Sequence, residues 1–333
     1  MVAYIVRRVV MLVPILLLIS VVSFALIELP PGDWVTYHIE NLRATGVQLN
    51  EEEAERLIAM YGFDQPSWRR YLRWMEGILV RFNFGWSFQW GKTVNELLAE
   101  RLPLTLLIAI LALIISWVLA IPIGIYSATH QYSIPDYLFT FFGFLGLSMP
   151  GFLLAMVLAW YIFEFTEFSP LGINSIEYMG EPWSTARVVD MLKHLILPCV
   201  IIGLASTGAL IRVMRGNLLD ELKRQYVITA RAKGVMETRL LFKYPVRMSM
   251  NPVISTIGWT LPAIFSGEVL VSLILGLQTV GPLLLRAVLA QDMFLAGSIV
   301  MILSVLTVIG TLLSDILLAV LDPRIRYEGA AHR

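Results

Sequence analysis

The chain has 333 residues, 57% of them hydrophobic and only 15% charged, with 25 Lys/Arg against 25 Asp/Glu. Soluble domains carry about a quarter charged residues, so this composition excludes an ordinary soluble protein and points to an integral membrane chain. A formal net charge of zero leaves no global basic field for nucleic acid, and a single cysteine, Cys199, excludes an internal disulfide.

From the N-terminus, Arg7 and Arg8 precede an apolar run from Val9 to Ile27. The run is longer than a signal-peptide core, and no small-residue cleavage site follows at Ile27-Glu-Leu-Pro-Pro31. It is expected to stay as the first span. Five more spans are expected near 103–128, 136–166, 191–214, 250–275 and 294–321, with the first at 8–29. Each is long enough to cross a hydrocarbon core of about 30 Å as a helix.

The segment 30–102 reads as a separate, external subdomain. Asn50 before Glu51, Glu52 and Glu53 is a helix start, a cap followed by negative charge on the positive dipole end. Pro66, then Trp68, Tyr71, Leu72, Met75 and Ile78, predicts an amphipathic helix with Pro near its first position. Thr93-Val-Asn-Glu96 is a capping box ahead of Leu97. Gly146-Leu-Ser-Met-Pro-Gly151 predicts a bend inside the third span.

Between the fourth and fifth spans lie about 35 mostly polar residues, and from Arg212 to Arg247 they hold nine Lys/Arg. Cytoplasmic loops carry such an excess. With this loop inside, the N-terminus, the loop and the C-terminus together hold fourteen Lys/Arg, whereas the short outer loops hold only Arg187, Lys193 and Arg286. Both termini are therefore expected in the cytoplasm. The loop near 129–135 has no Lys/Arg and is silent on the point.

Catalytic signatures are weak. Gly85-Trp-Ser-Phe-Gln-Trp-Gly-Lys-Thr93 imitates a phosphate-binding loop, but five residues separate its glycines where four are required, and its interior is bulky. His38, His130, His194 and His332 have no metal-ligand spacing, and no hydrolytic triad or zinc signature stands out. Neither a bound cofactor nor a metal is expected, and the chain is read as a non-enzyme.

The polar loop differs. Thr229-Ala-Arg-Ala-Lys-Gly234 places small residues on one helical face and basic ones on another, with Gly234 ending the helix. Such a face fits a groove lined by carboxylates. Composition alone leaves a solvated loop or a lipid-headgroup anchor equally open.

Tyr226-Val-Ile-Thr-Ala-Arg-Ala-Lys-Gly234 resembles the coupling motif of ABC-importer permeases, in the form of the oligopeptide, dipeptide and nickel branch. Further resemblances to that branch are Pro31-Gly-Asp33, Tyr61-Gly-Phe-Asp-Gln-Pro66, Phe84-Gly-Trp-Ser87, Glu100-Arg-Leu-Pro103, Gly146-Leu-Ser-Met-Pro150 and Leu321-Asp-Pro-Arg-Ile-Arg326, spread over nearly the whole chain. Two features depart from the general family pattern: Ile228-Thr-Ala230 replaces Glu-Ala-Ala, and the downstream proline is displaced to Pro252, with another at Pro245.

The resemblance implies an all-α, six-helix permease of the type I importer fold, multi-pass in a bacterial or archaeal cytoplasmic membrane. It implies a heterodimer with a second, related permease, two ATPase subunits that bind the ATP and Mg, an external binding protein, and surrounding lipid. It carries the coupling role onto Thr229, Ala230, Arg231, Ala232, Lys233 and Gly234, flanked by Tyr226, Glu237 and Arg239. Peptides are the branch's usual cargo. Tyr126-Ser-Ala-Thr-His-Gln-Tyr132 is similar to oligosaccharide-linked members, so both cargoes stand.

Ionisable residues within spans cost about 2.5–3.5 kcal/mol at the helix centre. Glu268 is expected to face the pathway or the partner permease, together with Ser148 and Pro150. Asp315 is expected to pair with a basic residue of the polar loop, and Glu164 to reach water. An ion-coupled secondary carrier is the alternative class, but it calls for repeat-related broken spans with midplane carboxylates, and Glu268 has no inverted partner. An intramembrane enzyme would need a nucleophile or metal set at membrane depth.

Overall fold

The computed structural model describes residues 2–28, 65–87 and 89–321. The helix start at Asn50, the Pro31-Gly-Asp33 motif and residues 322–326 of the C-terminal motif lie outside the described residues. Twelve α-helices are described: α1 (Val2–Glu28), α2 (Ser67–Arg81), α3 (Val94–Thr129), α4 (Ile134–Ser148), α5 (Gly151–Thr166), α6 (Thr185–Leu222), α7 (Gln225–Ala232), α8 (Glu237–Lys243), α9 (Pro245–Ser255), α10 (Ile257–Leu275), α11 (Val280–Leu289) and α12 (Met293–Leu321). A two-residue hairpin, β1 (Trp86–Ser87) and β2 (Lys92–Thr93), pairs antiparallel with Trp86 opposite Thr93.

Among the described residues, four helices are long and apolar enough to cross a membrane: α1, α3, α6 and α12. A fifth arises if Glu237–Ser255 and Thr260–Leu275, bent by 56°, count as one span. The third predicted span is divided at Met149 and Pro150 into α4 and α5, of 15 and 16 residues. Pro150 is the N-cap of α5, so the predicted bend is a full break. Helix ends also differ from expectation. Thr93 Oγ1 accepts from the Glu96 N–H at 3.2 Å, so α3 starts at Val94 and runs through Pro103. At its far end α6 continues to Leu222, because Met214 and Leu218 are fully buried and extend its apolar face past Arg212 and Arg215. Much of the predicted polar loop is therefore helix.

The chain divides into two compact units. The first comprises residues 1–9, 105–278 and 307–333, and α6 is its central helix. Ser184 caps α6, accepting from the Arg187 N–H at 3.2 Å. The helix then packs against α4, α5, α9 and α10. It lies against α3 through small residues: a Cβ on Gly203 would stand 2.9 Å from the Ala112 carbonyl oxygen and 3.2 Å from Ile115. Ser206 Oγ donates to Ser116 Oγ beside this crossing, at 3.1 Å. Near its other end, Arg215 donates to the buried carboxylate of Asp136 on α4 at 3.0 Å, and the Tyr132 N–H donates to the same oxygen at 3.0 Å. Toward its start, Asp190 accepts from the Ser175 N–H and hydroxyl, both at 2.7 Å, and so fixes the α5–α6 connection.

The second unit comprises residues 10–104 and 279–306. Val94, Leu97 and Leu98 of α3 pack with Leu283 and Ala287 of α11 and with Leu295 and Ile299 of α12. Asp292, wholly buried, accepts from the Ser87 hydroxyl at 2.6 Å, the Gln89 N–H at 3.3 Å and the Leu295 N–H at 3.2 Å. One carboxylate thus caps α12 and holds the hairpin. The amphipathic α2 turns Trp74 and Ile78 inward onto Phe24 and Met301, and Pro66 takes its N-cap position, one residue ahead of that predicted.

Gly203→Val is expected to lower stability by about 1–3 kcal/mol through overpacking at the α3 crossing. Gly216→Ala, on the same helix with no atom within 4 Å of the added Cβ, should leave stability unchanged or raise it by up to about 1 kcal/mol. Thermal unfolding of the two variants in detergent separates these outcomes.

Candidate functional site

The polar connection after α6 folds into two short helices at an angle. α7 ends at Ala232, and Gly234 turns the chain with φ of +75°, a left-handed conformation that glycine adopts without Cβ strain. α8 then begins at Glu237. Val227 and Leu240 are fully buried, one from each short helix, and pin the pair to the first unit.

Polar contacts fix the rest. Arg231 pairs with Glu237 across the turn, Nε with one carboxylate oxygen and Nη2 with the other at 3.3 Å. The Glu237 carboxylate makes the Arg231 guanidinium still harder to deprotonate. The Tyr226 hydroxyl donates to Glu221 at the end of α6. Burial, then this carboxylate, pushes the phenol above its ordinary range and keeps it a neutral donor.

The residues predicted for coupling fall together. Tyr226, Thr229, Arg231, Ala232, Lys233, Gly234, Glu237 and Arg239 are exposed, and Ala230 is half-buried. No atom lies within 4 Å of a Cβ built on Gly234, so the turn faces open space. Three apolar side chains share this exposed segment and escaped the sequence reading: Ile228, Met236 at 68% exposure and Phe242 at 61%. Their signal was present, as large apolar side chains in an otherwise polar, basic stretch. Together the segment offers small residues, cations and apolar side chains on an outward surface, which suits docking to a partner protein.

Beyond α8, Pro245 opens α9, whose Arg247 donates to the Leu321 carbonyl at the end of α12 at 3.2 Å. Ser314 of α12 donates to the Ile254 carbonyl of α9 at 2.8 Å. Asp315 pairs with Arg8 of α1 at 3.2 Å. The structure thus gives Asp315 a guanidinium from α1 in place of the polar-loop partner expected.

A second feature is a cavity of about 480 Å³ between α5, α6 and α10. It is lined by small and apolar side chains such as Pro150, Gly151, Ala205, Ala209, Ala263 and Gly267. Of the three residues singled out in the sequence, Pro150 borders this cavity, and Ser148 and Glu268 are not among its lining residues. Glu268 is 2% exposed and accepts from the Ser272 hydroxyl at 3.1 Å, one helical turn on. Glu164 is exposed in the single chain.

Residues 120–327 match the family described as binding-protein-dependent transport system inner membrane component, and residues 1–109 match its N-terminal companion family. The chain belongs to this family. It is therefore a multi-pass inner-membrane permease component of an ABC transport system and not an enzyme, working with a substrate-binding protein and an ATPase. The permease is 35% identical to the oligopeptide transport system permease protein AppB of Bacillus subtilis, over 98% of this chain and 100% of that protein. It is 33% identical to a putative peptide permease protein of Brucella ovis, over 98% and 99% of the two chains. To the inner membrane ABC transporter permease protein YejB of Escherichia coli O157:H7 it is 28% identical, over 98% and 99%.

The Arg231–Glu237 pair is exposed, and exposed pairs contribute about 0–1 kcal/mol. Glu237→Gln in this permease should leave the melting temperature nearly unchanged while speeding amide hydrogen exchange across residues 225–243. Unchanged exchange there would mean that the buried pins alone hold the turn.

Proposed function

We propose that this permease forms half of the translocation pathway of an ATP-driven peptide importer and is driven through the α7–α8 turn. The observation that carries the reading is the exposed turn at Gly234, with Tyr226, Thr229, Ala230, Arg231, Ala232, Lys233, Glu237 and Arg239 around it, in a chain of this family. That surface seats in a groove on the ATPase. ATP and Mg belong to the ATPase, and closure of two ATPase subunits moves the turn. The peptide cargo is supported by the names of the Bacillus subtilis and Brucella ovis relatives, and none of the three relatives is named for an oligosaccharide.

The topology proposed with it has six spans, counting α4 with α5 as one broken span and α9 with α10 as another. Both termini and the α7–α8 turn face the cytoplasm, and the segment 30–102 lies outside, its described residues sharing one core with α11 and α12 rather than standing apart. A second, related permease completes a heterodimer. The cavity bordered by Pro150 and Gly267 is the part of the pathway or of the permease–permease contact that this chain supplies. Ser148 ends α4 just before the Pro150 break, and Glu268 acts inside the bundle as a hydrogen-bonded anchor of α10.

In the complete complex, Gly234→Trp should abolish coupled uptake. The left-handed backbone costs a non-glycine residue about 1–2 kcal/mol, and the indole would fill the docking surface. Insertion and global stability should persist, since the turn faces open space. Normal uptake by this variant would remove the docking role. Glu268→Gln keeps an acceptor for Ser272, and uptake and assembly are expected to survive in reconstituted vesicles. Co-purification through a tag on this chain should recover two ATPases and one related permease, and the binding protein should take peptides rather than oligosaccharides in a titration.

A further inference from the structure

The second unit carries a cationic pocket that the transport reading does not use. On α2, Arg70, Arg73, Trp74, Gly77 and Arg81 recur at helical spacing and share one face. With Asn83, Gly85 and Phe294 they line a cavity of about 260 Å³. Three guanidiniums meet there, against the one carboxylate of Glu76.

Their commitments differ. Arg70 pairs with Glu28. Arg81 reaches Glu76 at 3.4 Å, with both side chains well exposed. Arg73 is exposed and has no carboxylate partner among the described residues. Trp74 is only 6% exposed, yet its indole N–H has no hydrogen-bond partner among the described residues, although the ring borders the cavity. A buried donor left unmade is costly. Three guanidinium forks against one carboxylate give the space a net positive lining, and planar guanidinium forks match a phosphate oxyanion.

The rest of α2 indicates where a phosphate would come from. Trp68, Leu72 and Leu79 form an exposed apolar stripe on a different face of the helix, at 59%, 55% and 66% exposure. Arg69 lies over the Trp68 ring at 5.1 Å. An Arg-rich helix with an exposed Trp/Leu stripe lies in the membrane interface, its apolar side chains at the acyl boundary and its cations at headgroup level.

We propose that this face of α2 is a phosphate-binding site that takes the phosphodiester of an anionic membrane lipid. Arg73 supplies the charge left unpaired among the described residues, Trp74 a buried donor at the cavity's border, and Arg70 and Arg81 the walls. The proposal rests on the chain being a membrane protein and is independent of the coupling and cargo assignments.

The test uses the complete transporter, purified in detergent and stripped of lipid. Phosphatidylglycerol, diacylglycerol and inorganic phosphate are added separately. Native mass spectrometry counts bound lipid, and tryptophan fluorescence follows the site. Phosphatidylglycerol should be retained and diacylglycerol, which lacks the phosphate, should not. Arg73→Gln and Trp74→Phe should each weaken retention by about tenfold, the loss expected for one charge-assisted hydrogen bond. Arg73 is exposed, so Arg73→Gln folds even if Trp74→Phe does not. A response to inorganic phosphate without lipid retention, lost in Arg73→Gln, would keep the phosphate site and assign it a soluble ligand. Equal retention of the two lipids with no response to phosphate, or wild-type retention by Arg73→Gln, would overturn the proposal.

Discussion

Helices in a bilayer gain nothing from hiding apolar side chains from one another, because lipid tails are as apolar as leucine. What holds them together is close approach and the few polar contacts that cross between them. In this permease that constraint is met at α6. Gly203 lets α6 and α3 come within contact of backbone, and Ser116 and Ser206 add a hydrogen bond beside the crossing. Arg215 and Asp136 fasten α4 to the same helix nearer its end. With α6 fixed, α5 and α10 can frame a cavity along it, lined by alanine and glycine rather than by large side chains.

The same helix leads directly to the proposed docking surface. Only Lys223 and Arg224 separate α6 from α7. The Tyr226–Glu221 hydrogen bond and the buried Val227 tie the first turn of α7 back to α6. On the other side of Gly234, Leu240 anchors α8, and α9 follows after a single residue. α9 meets α12 through Arg247 and Ser314. A push on the α7–α8 turn therefore reaches α6 on one side and α9 with α12 on the other through short, stiff links. α9 continues into α10, which borders the cavity. This is the mechanical content of the coupling proposal.

Much of this was legible in the sequence because it is local. The Thr93 capping box, the amphipathic α2 and the left-handed stop at Gly234 each depend on residues within a few positions of one another. The motif proposed for docking is local in the same way. Other features were not. The break at Pro150 read as a bend, since proline marks an interruption without stating how far the helix axis gives way. The continuation of α6 to Leu222 was hidden by Arg212 and Arg215, whose charge ended the hydropathy signal, although Met214 and Leu218 still face inward. Met236 and Phe242 drew no notice because exposure is a property of the fold.

The sequence by itself determined the membrane class, the family, the main apolar helices and the motif on which the docking proposal rests. Hydropathy adds up along the chain, and a motif is carried by its own neighbours. The tertiary structure alone decided which side of each apolar helix meets protein. It closed Glu268 inside the bundle, left Pro150 and Gly267 on a cavity, and gave Asp315 to Arg8. The physical reason is that lipid and protein interior are equally apolar. A helix apolar all round carries no periodic signal of its inner face, and only the packing of the other helices can choose it.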